Sequence, residues 1–330
     1  MISREKLLEL AKRPLNELCE EADQLRRQLC GNEFDLCSIV NGKSGRCSED
    51  CKYCAQSACY QTEIPEYPLM PEEEIRREAA YNQNKGVIRF SVVTSGKRLS
   101  DSEVETLCRT YRKMSGERRI SLCASHGLLT QEQFQKLKDA GVERYHNNLE
   151  ASEGFFSKVC TTHTQKDKKE ALIRARKAGL SICSGGIIGM GETMEDRIDL
   201  ALELRELGVN SIPLNILNPI PGTPLEARTP LSNGEVCRTV ALFRFALPAA
   251  SIRLAGGRGL LPDKGRQAFQ SGANAAITGD MLTTAGISIE NDLNMIEELG
   301  FKVVKCNDKR SLYHSDRDGY GKNLFDRSDD

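Results

Sequence analysis

Three cysteines on one short polar segment are the residues most able to do chemistry. Cys47, Cys51 and Cys54 are spaced as C-x₃-C-x₂-C. Three thiolates crowded onto one loop can bind three irons of a cubane iron–sulfur cluster, which leaves the fourth iron without a protein ligand. A structural zinc ion normally takes four ligands, and Cys59 is the nearby residue that could complete such a set. The spacing favours a cluster with one open iron, and zinc is the alternative.

The cysteine segment directly follows the first of a series of short apolar runs. These runs predict strands near 35–41, 87–93, 119–125, 143–149, 181–187, 211–216, 250–254 and 275–279. Between them, amphipathic stretches such as 130–140, 166–178, 193–207 and 231–246 predict helices. This alternation predicts an α/β fold, a (β/α)₈ TIM-type barrel. The cysteines then lie at the barrel end where active sites occur.

Within the predicted strands, polar or thiol side chains alternate with apolar ones. Cys123 alternates with Leu122, Cys183 with Ile182, and Arg253 with Ile252 and Leu254. Because successive side chains point to opposite faces of a strand, the polar set should point into the barrel. The interior of an ordinary barrel is filled with branched apolar residues. A polar interior therefore predicts a bound substrate and a metal site, although the segment 145–150 does not fit the alternation.

The composition of the chain argues against several classes of protein. The 46 Lys and Arg residues nearly balance the 47 Asp and Glu residues, which gives no electrostatic reason to expect nucleic acid or an anionic membrane as a partner. No apolar run approaches the roughly 20 residues of a membrane span, and the first residues do not read as a secretory signal. An odd count of 13 cysteines argues against a disulfide framework. We therefore expect a soluble cytoplasmic protein.

The chain is expected to have three parts. Residues 1–34 read as a helical extension, with a helical pattern over 3–30. Residues 35–307 form the barrel, and residues 308–330 form a polar C-terminal tail.

The cysteine pattern resembles that of the radical S-adenosylmethionine (SAM) superfamily. It follows a first barrel strand, and an aromatic residue, Tyr53, precedes its last cysteine. The resemblance implies that the open iron chelates the amino and carboxylate groups of S-adenosylmethionine. Electron transfer into the sulfonium would yield methionine and a 5′-deoxyadenosyl radical, which abstracts hydrogen from unactivated carbon.

Six further segments, in order along the chain, resemble the biotin synthase family. They are Cys51–Ser57, Tyr145–Glu150, Cys183–Gly186, Gly189–Thr193, Ile220–Leu225 and Ile252–Arg258. The resemblance implies conversion of dethiobiotin to biotin by two hydrogen abstractions and sulfur insertion. The sulfur would come from an auxiliary iron–sulfur cluster deep in the barrel. It also implies a flavodoxin or ferredoxin as electron donor and a homodimer.

The same resemblance implies roles for individual side chains. Tyr53, Asn148 and Glu150 match residues near S-adenosylmethionine. Asn148 and Asn215 match residues that hydrogen-bond the ureido ring of dethiobiotin, which is sensible because an amide supplies both a donor and an acceptor. No side chain is implied as an acid, base or nucleophile.

One position departs from the family pattern for the auxiliary cluster. The usual site holds a 2Fe–2S cluster by three cysteines and an arginine, of which Cys123, Cys183 and Arg253 are matched here. The third cysteine should follow Arg89-Phe90 on the second strand, where this chain has Ser91. Serine is a poor substitute for a soft thiolate at an iron–sulfur site.

Cys37 on the first strand offers a compensating thiol. Moving a ligand by one strand shifts it by roughly 5 Å, which suits a larger cluster such as a four-iron cluster with an extra sulfide. The hypothesis is that Cys37, Cys123 and Cys183 bind this cluster, with Arg253 nearby as ligand or cation. The alternative is a buried Cys37 thiol and a cluster that keeps three ligands with Ser91 or Arg253.

Other interpretations stay open at this point. Another radical enzyme of the same barrel group, such as a thiazole-pathway lyase, a hydrogenase maturase or a methylornithine synthase, would share the cysteine segment. A non-catalytic iron–sulfur storage protein would not need a polar interior. Cys160 and the cysteines in helical segments are expected to be packed or exposed thiols, and the histidines show no spacing typical of metal ligands.

Overall fold

Parallel strands form the centre of the protein in the computed structural model, which describes residues 2–117 and 120–304. The predicted polar tail, 308–330, lies outside the described residues. The strands are β1 Glu33–Lys43, β2 Arg89–Thr94, β3 Ser121–Ser125, β4 Arg144–His146, β5 Ser181–Cys183, β6 Gly186–Ile188, β7 Ser211–Ile216, β8 Ser251–Leu254, β9 Ala275–Thr278 and β10 Lys302–Val303.

The pairing of the strands closes a barrel. Its order is β5-β4-β3-β2-β1-β9-β8-β7-β6, and every pairing is parallel. The two ends of this path, β5 and β6, are separated along the chain only by Ser184 and Gly185, so together they act as one strand of an eight-membered ring. Strand β10 pairs with β1 outside this ring. The predicted (β/α)₈ TIM-type barrel is confirmed.

The break between β5 and β6 corrects the prediction of one continuous strand over 181–187. Strand β5 pairs with β4, whereas β6 pairs with β7. A Cβ atom at Gly185 would lie 1.9 Å from the carbonyl oxygen of Pro213, so only glycine fits where the strand changes partner.

Eleven α-helices are assigned in the described residues, and most cover the outside of the barrel. They are α1 Arg4–Leu10, α2 Leu15–Cys30, α3 Glu72–Asn84, α4 Asp101–Glu117, α5 Gln131–Asp139, α6 Glu153–Phe156, α7 Gln165–Lys177, α8 Met194–Glu206, α9 Asn233–Ala246, α10 Arg266–Phe269 and α11 Ile289–Glu298. The predicted helix over 3–30 is two helices, because Pro14 occupies the N-cap of α2. None of the helices described is long and apolar enough to cross a membrane.

Several of the outer helices start at a capping box. Thr130, Thr164, Thr193 and Ser232 each accept a hydrogen bond from the backbone three residues later, and the side chain at that position bonds back. The motif fixes the residue at which each of these helices begins.

The alternation predicted for the strands places the core outside the ring. Phe34, Phe90 and Tyr145 are fully buried in the core cluster, while their strand neighbours of opposite parity are polar. Strand β4 follows the same rule: the ring of Tyr145 packs edge-on against Phe134 at 4.6 Å, and Arg144 contacts residues of β5 and β7. The segment that did not fit the alternation is thus a short strand with an outward tyrosine.

Candidate functional site

The loop that carries Cys47, Cys51 and Cys54 lies beyond the end of β1 at the mouth of the barrel. The Cys47 amide donates to the Gln56 carbonyl at 2.9 Å, and the Cys54 amide donates to the Cys51 carbonyl at 2.9 Å. These bonds fold the loop back on itself. All three thiols are partly exposed.

The three thiols of the loop lie close enough to affect one another. Burial, with the neighbouring Cys47 thiolate, raises the pKa of Cys54 to about 11. A hydrogen bond to Cys160, followed by burial, raises the pKa of Cys51, and burial raises that of Cys47. Without metal the thiols hold their protons, so metal binding would release protons. A compact all-thiolate donor set suits an iron–sulfur cluster or zinc.

Two residues beside this loop were not anticipated from the sequence. The ligand atoms of Cys51, Cys160 and His163 lie within 4.8 Å of one another. Cys160 is a buried thiol, in keeping with the expectation of a packed residue, and His163 lies beside it in this potential ligand set. Cys59, the residue considered as a fourth zinc ligand, is exposed. No motif in the sequence signals this arrangement, because the segment 159–163 meets the loop only in three dimensions.

Cys160 and His163 serve to dock their segment on the cysteine loop. His163 Nδ1 lies 2.6 Å from Glu49 Oε2, and Cys160 Sγ lies 3.1 Å from Asp50 Oδ1. The Thr161 amide donates to the same Asp50 oxygen at 2.8 Å. A hydrogen bond from Cys51, with a smaller contribution from His163, lowers the pKa of Cys160 to about 4.

Glu150 presents a carboxylate at the mouth of the barrel. Its backbone is in the left-handed region with φ of 71°, which is rare for a residue other than glycine and is often found at functional sites. Its Oε2 atom is buried and makes no hydrogen bond to any described residue. Burial and the neighbouring Glu150 carboxylate raise the pKa of Tyr53. The site thus holds an unused acceptor beside the cysteine loop.

Asn148 lies in the segment just after β4, and Asn215 lies on β7. Asn148 Oδ1 accepts from the Gly185 amide at 3.0 Å and lies 2.8 Å from His146 Nε2. Its Nδ2 group donates to none of the described residues. Asn215 Oδ1 accepts from the Gly256 amide at 2.9 Å, which fixes its rotamer. Both amides are oriented before any ligand binds.

The remaining predicted thiols, Cys37, Cys123 and Cys183, lie deeper in the barrel and are all buried. Burial raises the pKa of Cys37 to about 12 and also raises that of Cys123. Cys37 interacts with Cys123, and Cys123 interacts with Cys183. The fold thus brings together three thiols that are separated by 86 and 60 residues in the sequence.

A group of charged side chains, absent from the sequence predictions as a cluster, surrounds these thiols. Asp35 lies 3.0 Å from Arg89 Nε, 3.1 Å from Arg253 Nη2 and 3.8 Å from Arg144 Nη1. All three arginines are buried. Although burial opposes it, the three guanidinium groups lower the pKa of Asp35. Burial, followed by the nearby Arg89, lowers the pKa of Arg144, whereas, although burial opposes it, the Asp35 carboxylate raises the pKa of Arg89 and of Arg253.

Some buried polar atoms in this lumen have no hydrogen-bond partner, which leaves them available to an additional bound group. Ser91 Oγ, at the position where the family pattern has a cysteine, is buried and has no hydrogen-bond partner among the described residues. Asp35 Oδ1 likewise lacks an aligned hydrogen bond. Three soft thiols beside excess positive charge are suited to an anionic metal–sulfur group.

Comparisons with known proteins agree with this architecture. Residues 43–204 match the Radical SAM superfamily, and residues 213–302 match the Biotin and Thiamin Synthesis associated domain. The chain is 57% identical over 303 residues to a biotin synthase of Clostridium botulinum, covering 92% of this chain and 95% of that protein. It is 55% identical over 301 residues to a biotin synthase of Akkermansia muciniphila, covering 91% and 94%.

Solved structures of lower identity share the fold. A methylornithine synthase superposes with a TM-score of 0.81 at 17% identity, covering 94% of this chain and 97% of that one. A maturase of the [FeFe]-hydrogenase superposes with a TM-score of 0.76 at 19% identity, covering 91% and 71%. At these identities the likeness concerns the barrel alone.

Proposed function

The chain belongs to the biotin synthase family of radical SAM enzymes, and we propose that it inserts sulfur into dethiobiotin inside this barrel. The observation that carries the proposal is 57% identity to a biotin synthase across 92% of the chain. The three-thiol loop at the mouth and the thiols in the lumen supply the chemistry that such a reaction needs.

As a radical SAM enzyme, the protein uses a 4Fe–4S cluster and S-adenosylmethionine. We assign Cys47, Cys51 and Cys54 as the cluster ligands, because they are the compact thiol set at the strand ends. When bound, this cofactor pair supplies the 5′-deoxyadenosyl radical that removes hydrogen from saturated carbon. The segment around Cys160 and Asp50 keeps the loop in place during this chemistry.

Three side chains at the mouth are proposed to hold S-adenosylmethionine. The Glu150 carboxylate has a buried oxygen without a partner, which suits a pair of ribose hydroxyl donors. Tyr53 lies against Glu150 and next to Cys54, so it can line the nucleoside. Asn148, two residues before Glu150 in the chain, has an amide group whose donor is unused.

Asn148 and Asn215 are proposed to bind the ureido ring of dethiobiotin. Their amide groups are fixed by backbone amides at Gly185 and Gly256, so little side-chain entropy is lost when a ligand binds. A cyclic urea offers one acceptor and two donors, which the two amides, one just beyond β4 and one on β7, can match. The ring would then be positioned between the mouth and the deeper thiols.

Cys37, Cys123 and Cys183 are proposed to hold the auxiliary cluster from which the sulfur comes. Their burial and the electrostatic influence of one thiol on the next support this ligand set. The alternative, in which Ser91 or Arg253 replaces Cys37 as a ligand, requires a hydroxyl or a charged guanidinium to bind iron. A cluster larger than 2Fe–2S remains part of the proposal, because Cys37 lies on a different strand from the family cysteine.

The remaining assignments concern partners and compartment. A flavodoxin or ferredoxin is proposed as the electron donor, and a homodimer as the assembly. The cytoplasm is proposed as the compartment because both thiol sets must stay reduced to bind iron. All twelve cysteines in the described part of the chain are free thiols.

The proposal is tested by anaerobic incubation of the reconstituted protein with dethiobiotin, dithionite and S-adenosylmethionine. We expect biotin by mass spectrometry, together with 5′-deoxyadenosine. Formation of 5′-deoxyadenosine without biotin would favour another radical enzyme of the same fold. Absence of both products from protein that carries its clusters would contradict a radical SAM function.

A further inference from the structure

The charged cluster in the lumen contains more positive charge than its own carboxylate can balance. Arg89, Arg144 and Arg253 converge on the single carboxylate of Asp35. The carboxylate of Glu143 is linked to Arg89 through the Ser121 hydroxyl, but Glu143 is exposed to solvent, which screens its charge. Burial lowers the pKa of His146 to about 4, so this histidine adds no charge at neutral pH. Two positive charges are left over.

Leaving two buried cations without an anion is energetically costly. Burial of an unpaired charge in a protein interior costs several kcal/mol even after relaxation. The hydrogen bonds of Arg144 go to the hydroxyls of Ser181 and Ser211, at 3.3 and 3.2 Å, which satisfy donors but supply no negative charge. The arrangement is therefore built for an anionic group in the same space.

The thiols proposed as ligands lie beside this excess charge. In the strand register Cys37 is the partner of Arg89 on β2, and Cys123 is the partner of Arg144 on β4. The Ser211 hydroxyl, which accepts from Arg144, also donates to Cys183 Sγ at 3.3 Å. Each of the three thiols thus neighbours an arginine of the cluster, either in strand register or through one hydroxyl.

Arg253 is already engaged in a way that opposes iron binding. Its Nη1 group donates both hydrogens, to the carbonyl oxygens of Asp35 and Ala276 at 2.9 Å each. Its Nη2 group faces the Asp35 carboxylate at 3.1 Å. A protonated guanidinium has no lone pair to give to a metal.

We propose that Arg89, Arg144 and Arg253, held together by Asp35, are the built-in counter-charge of the auxiliary cluster. In this arrangement Arg253 contributes a positive charge and not an iron–nitrogen bond. The inference rests on the proposed auxiliary cluster. Arg144 and Asp35 are positioning residues that set the charge the cluster can carry, because nearby cations favour its more negative, reduced form.

Redox titration of the auxiliary cluster in the full-length reconstituted protein tests this proposal, with the mouth cluster of the same sample as an internal reference. Arg144→Gln removes a positive charge, so the reduction potential should fall. Asp35→Asn removes a negative charge, so the potential should rise. We expect each change to alter the ratio of oxidised to reduced cluster, at a fixed solution potential, by roughly tenfold or more.

Matched control variants distinguish an effect of charge on the potential from an effect of damage to the fold. Arg244 is a fully buried arginine whose charged neighbours are Cys30, Arg26 and Asp23, away from the lumen. Arg244→Gln and Asp23→Asn should leave the potential of the auxiliary cluster unchanged. Unchanged potentials in Arg144→Gln and Asp35→Asn, or shifts of the same sign in both, would overturn the proposal.

Arg144→Lys covers the case in which Arg144→Gln protein does not load the cluster. Lysine keeps the charge, so this variant should load the cluster at the wild-type potential, and failure to load would overturn the charge argument. Protein labelled with ¹⁵N-arginine should show no hyperfine coupling of the size given by an iron-bound nitrogen. Such a coupling would overturn the role given to Arg253.

These outcomes are distinct from failure of the proposed function. If wild-type protein holds only the mouth cluster, the auxiliary cluster itself is refuted. If wild-type protein holds two cluster types and the variants behave like it, only the counter-charge is refuted.

Discussion

The mouth of the barrel carries its cysteines on one loop, whereas the lumen carries them on three strands. The mouth thiols, Cys47, Cys51 and Cys54, are partly exposed and are held by hydrogen bonds of the loop backbone. The lumen thiols, Cys37, Cys123 and Cys183, are buried and project from β1, β3 and β5. The two regions therefore present the same donor atom in opposite environments.

The difference in burial between the two thiol sets explains why arginines surround the deeper set. A partly exposed cluster site can rely on solvent to screen its charge. A buried site must include its counter-charge in the protein, and the arginines around Asp35 provide it. Under the proposed function, the mouth also has to admit S-adenosylmethionine and electrons, while the lumen has to hold a sulfur source away from water.

Removing a mouth thiol should have the largest effect. Cys54→Ala takes away one of three cluster ligands, so release of 5′-deoxyadenosine should fall to background. Cys51 is less suitable for this test because Cys160 lies next to it and could replace its thiolate. Chromatographic measurement of 5′-deoxyadenosine checks the result, and Cys59→Ala, an exposed thiol close in sequence, is the control. Wild-type turnover in Cys54→Ala would contradict the ligand assignment.

Removing a lumen thiol should separate sulfur insertion from cleavage of S-adenosylmethionine. In Cys37→Ser, biotin formation should fall at least about 100-fold, because loss of a soft ligand weakens the cluster that supplies sulfur. Cleavage of S-adenosylmethionine should persist. Iron and sulfide analysis with product assays checks this, and Cys237→Ser, a buried thiol on α9, is the control. An unchanged iron and sulfide content would remove Cys37 from the ligand set.

Changing Glu150 should weaken cofactor binding without affecting either cluster. Glu150→Gln removes a charged acceptor, and a hydrogen bond to a charged group contributes about 1.5–3 kcal/mol, so the Kd for S-adenosylmethionine should rise about tenfold or more. Calorimetry on the anaerobic protein measures this. Glu153→Gln, an exposed carboxylate nearby, should bind the cofactor normally. Equal affinity in both variants would exclude Glu150 from the binding site.

Changing Asn215 should have the smallest effect and should be confined to the substrate. A neutral hydrogen bond contributes about 0.5–1.5 kcal/mol, so Asn215→Ala should raise the Kd for dethiobiotin by about two- to tenfold. The Kd for S-adenosylmethionine should stay the same. Binding of each ligand, measured separately, checks the prediction. A parallel loss of affinity for both ligands would mean that Asn215 only supports the fold near Gly256.

The contrast between mouth and lumen also explains what the sequence could predict. Most of the strands were predictable because buried apolar residues alternate with polar ones, as at Leu122 and Cys123. The mouth thiols were predictable because all three lie on one loop, within reach of a single motif. Cys123 and Cys183 could be placed in the lumen by the same alternation.

The charged cluster of the lumen could not be predicted in this way. Asp35 lies 54 residues from Arg89 and 109 from Arg144, and only the register of the closed barrel brings them together. The break between β5 and β6 depends on the close approach of Gly185 to Pro213, which a single sequence does not reveal. Contacts of Cys160 with the cysteine loop were missed for the same reason.

Mössbauer spectroscopy of anaerobic, ⁵⁷Fe-reconstituted protein is the most direct test of the account. We predict two sets of signals: one 4Fe–4S cluster that is lost when Cys47, Cys51 and Cys54 are replaced together by alanine, and a second iron–sulfur cluster that remains in that variant. A single cluster type in the wild-type protein, or loss of all iron in the triple variant, would contradict the assignment of separate clusters to the mouth and the lumen.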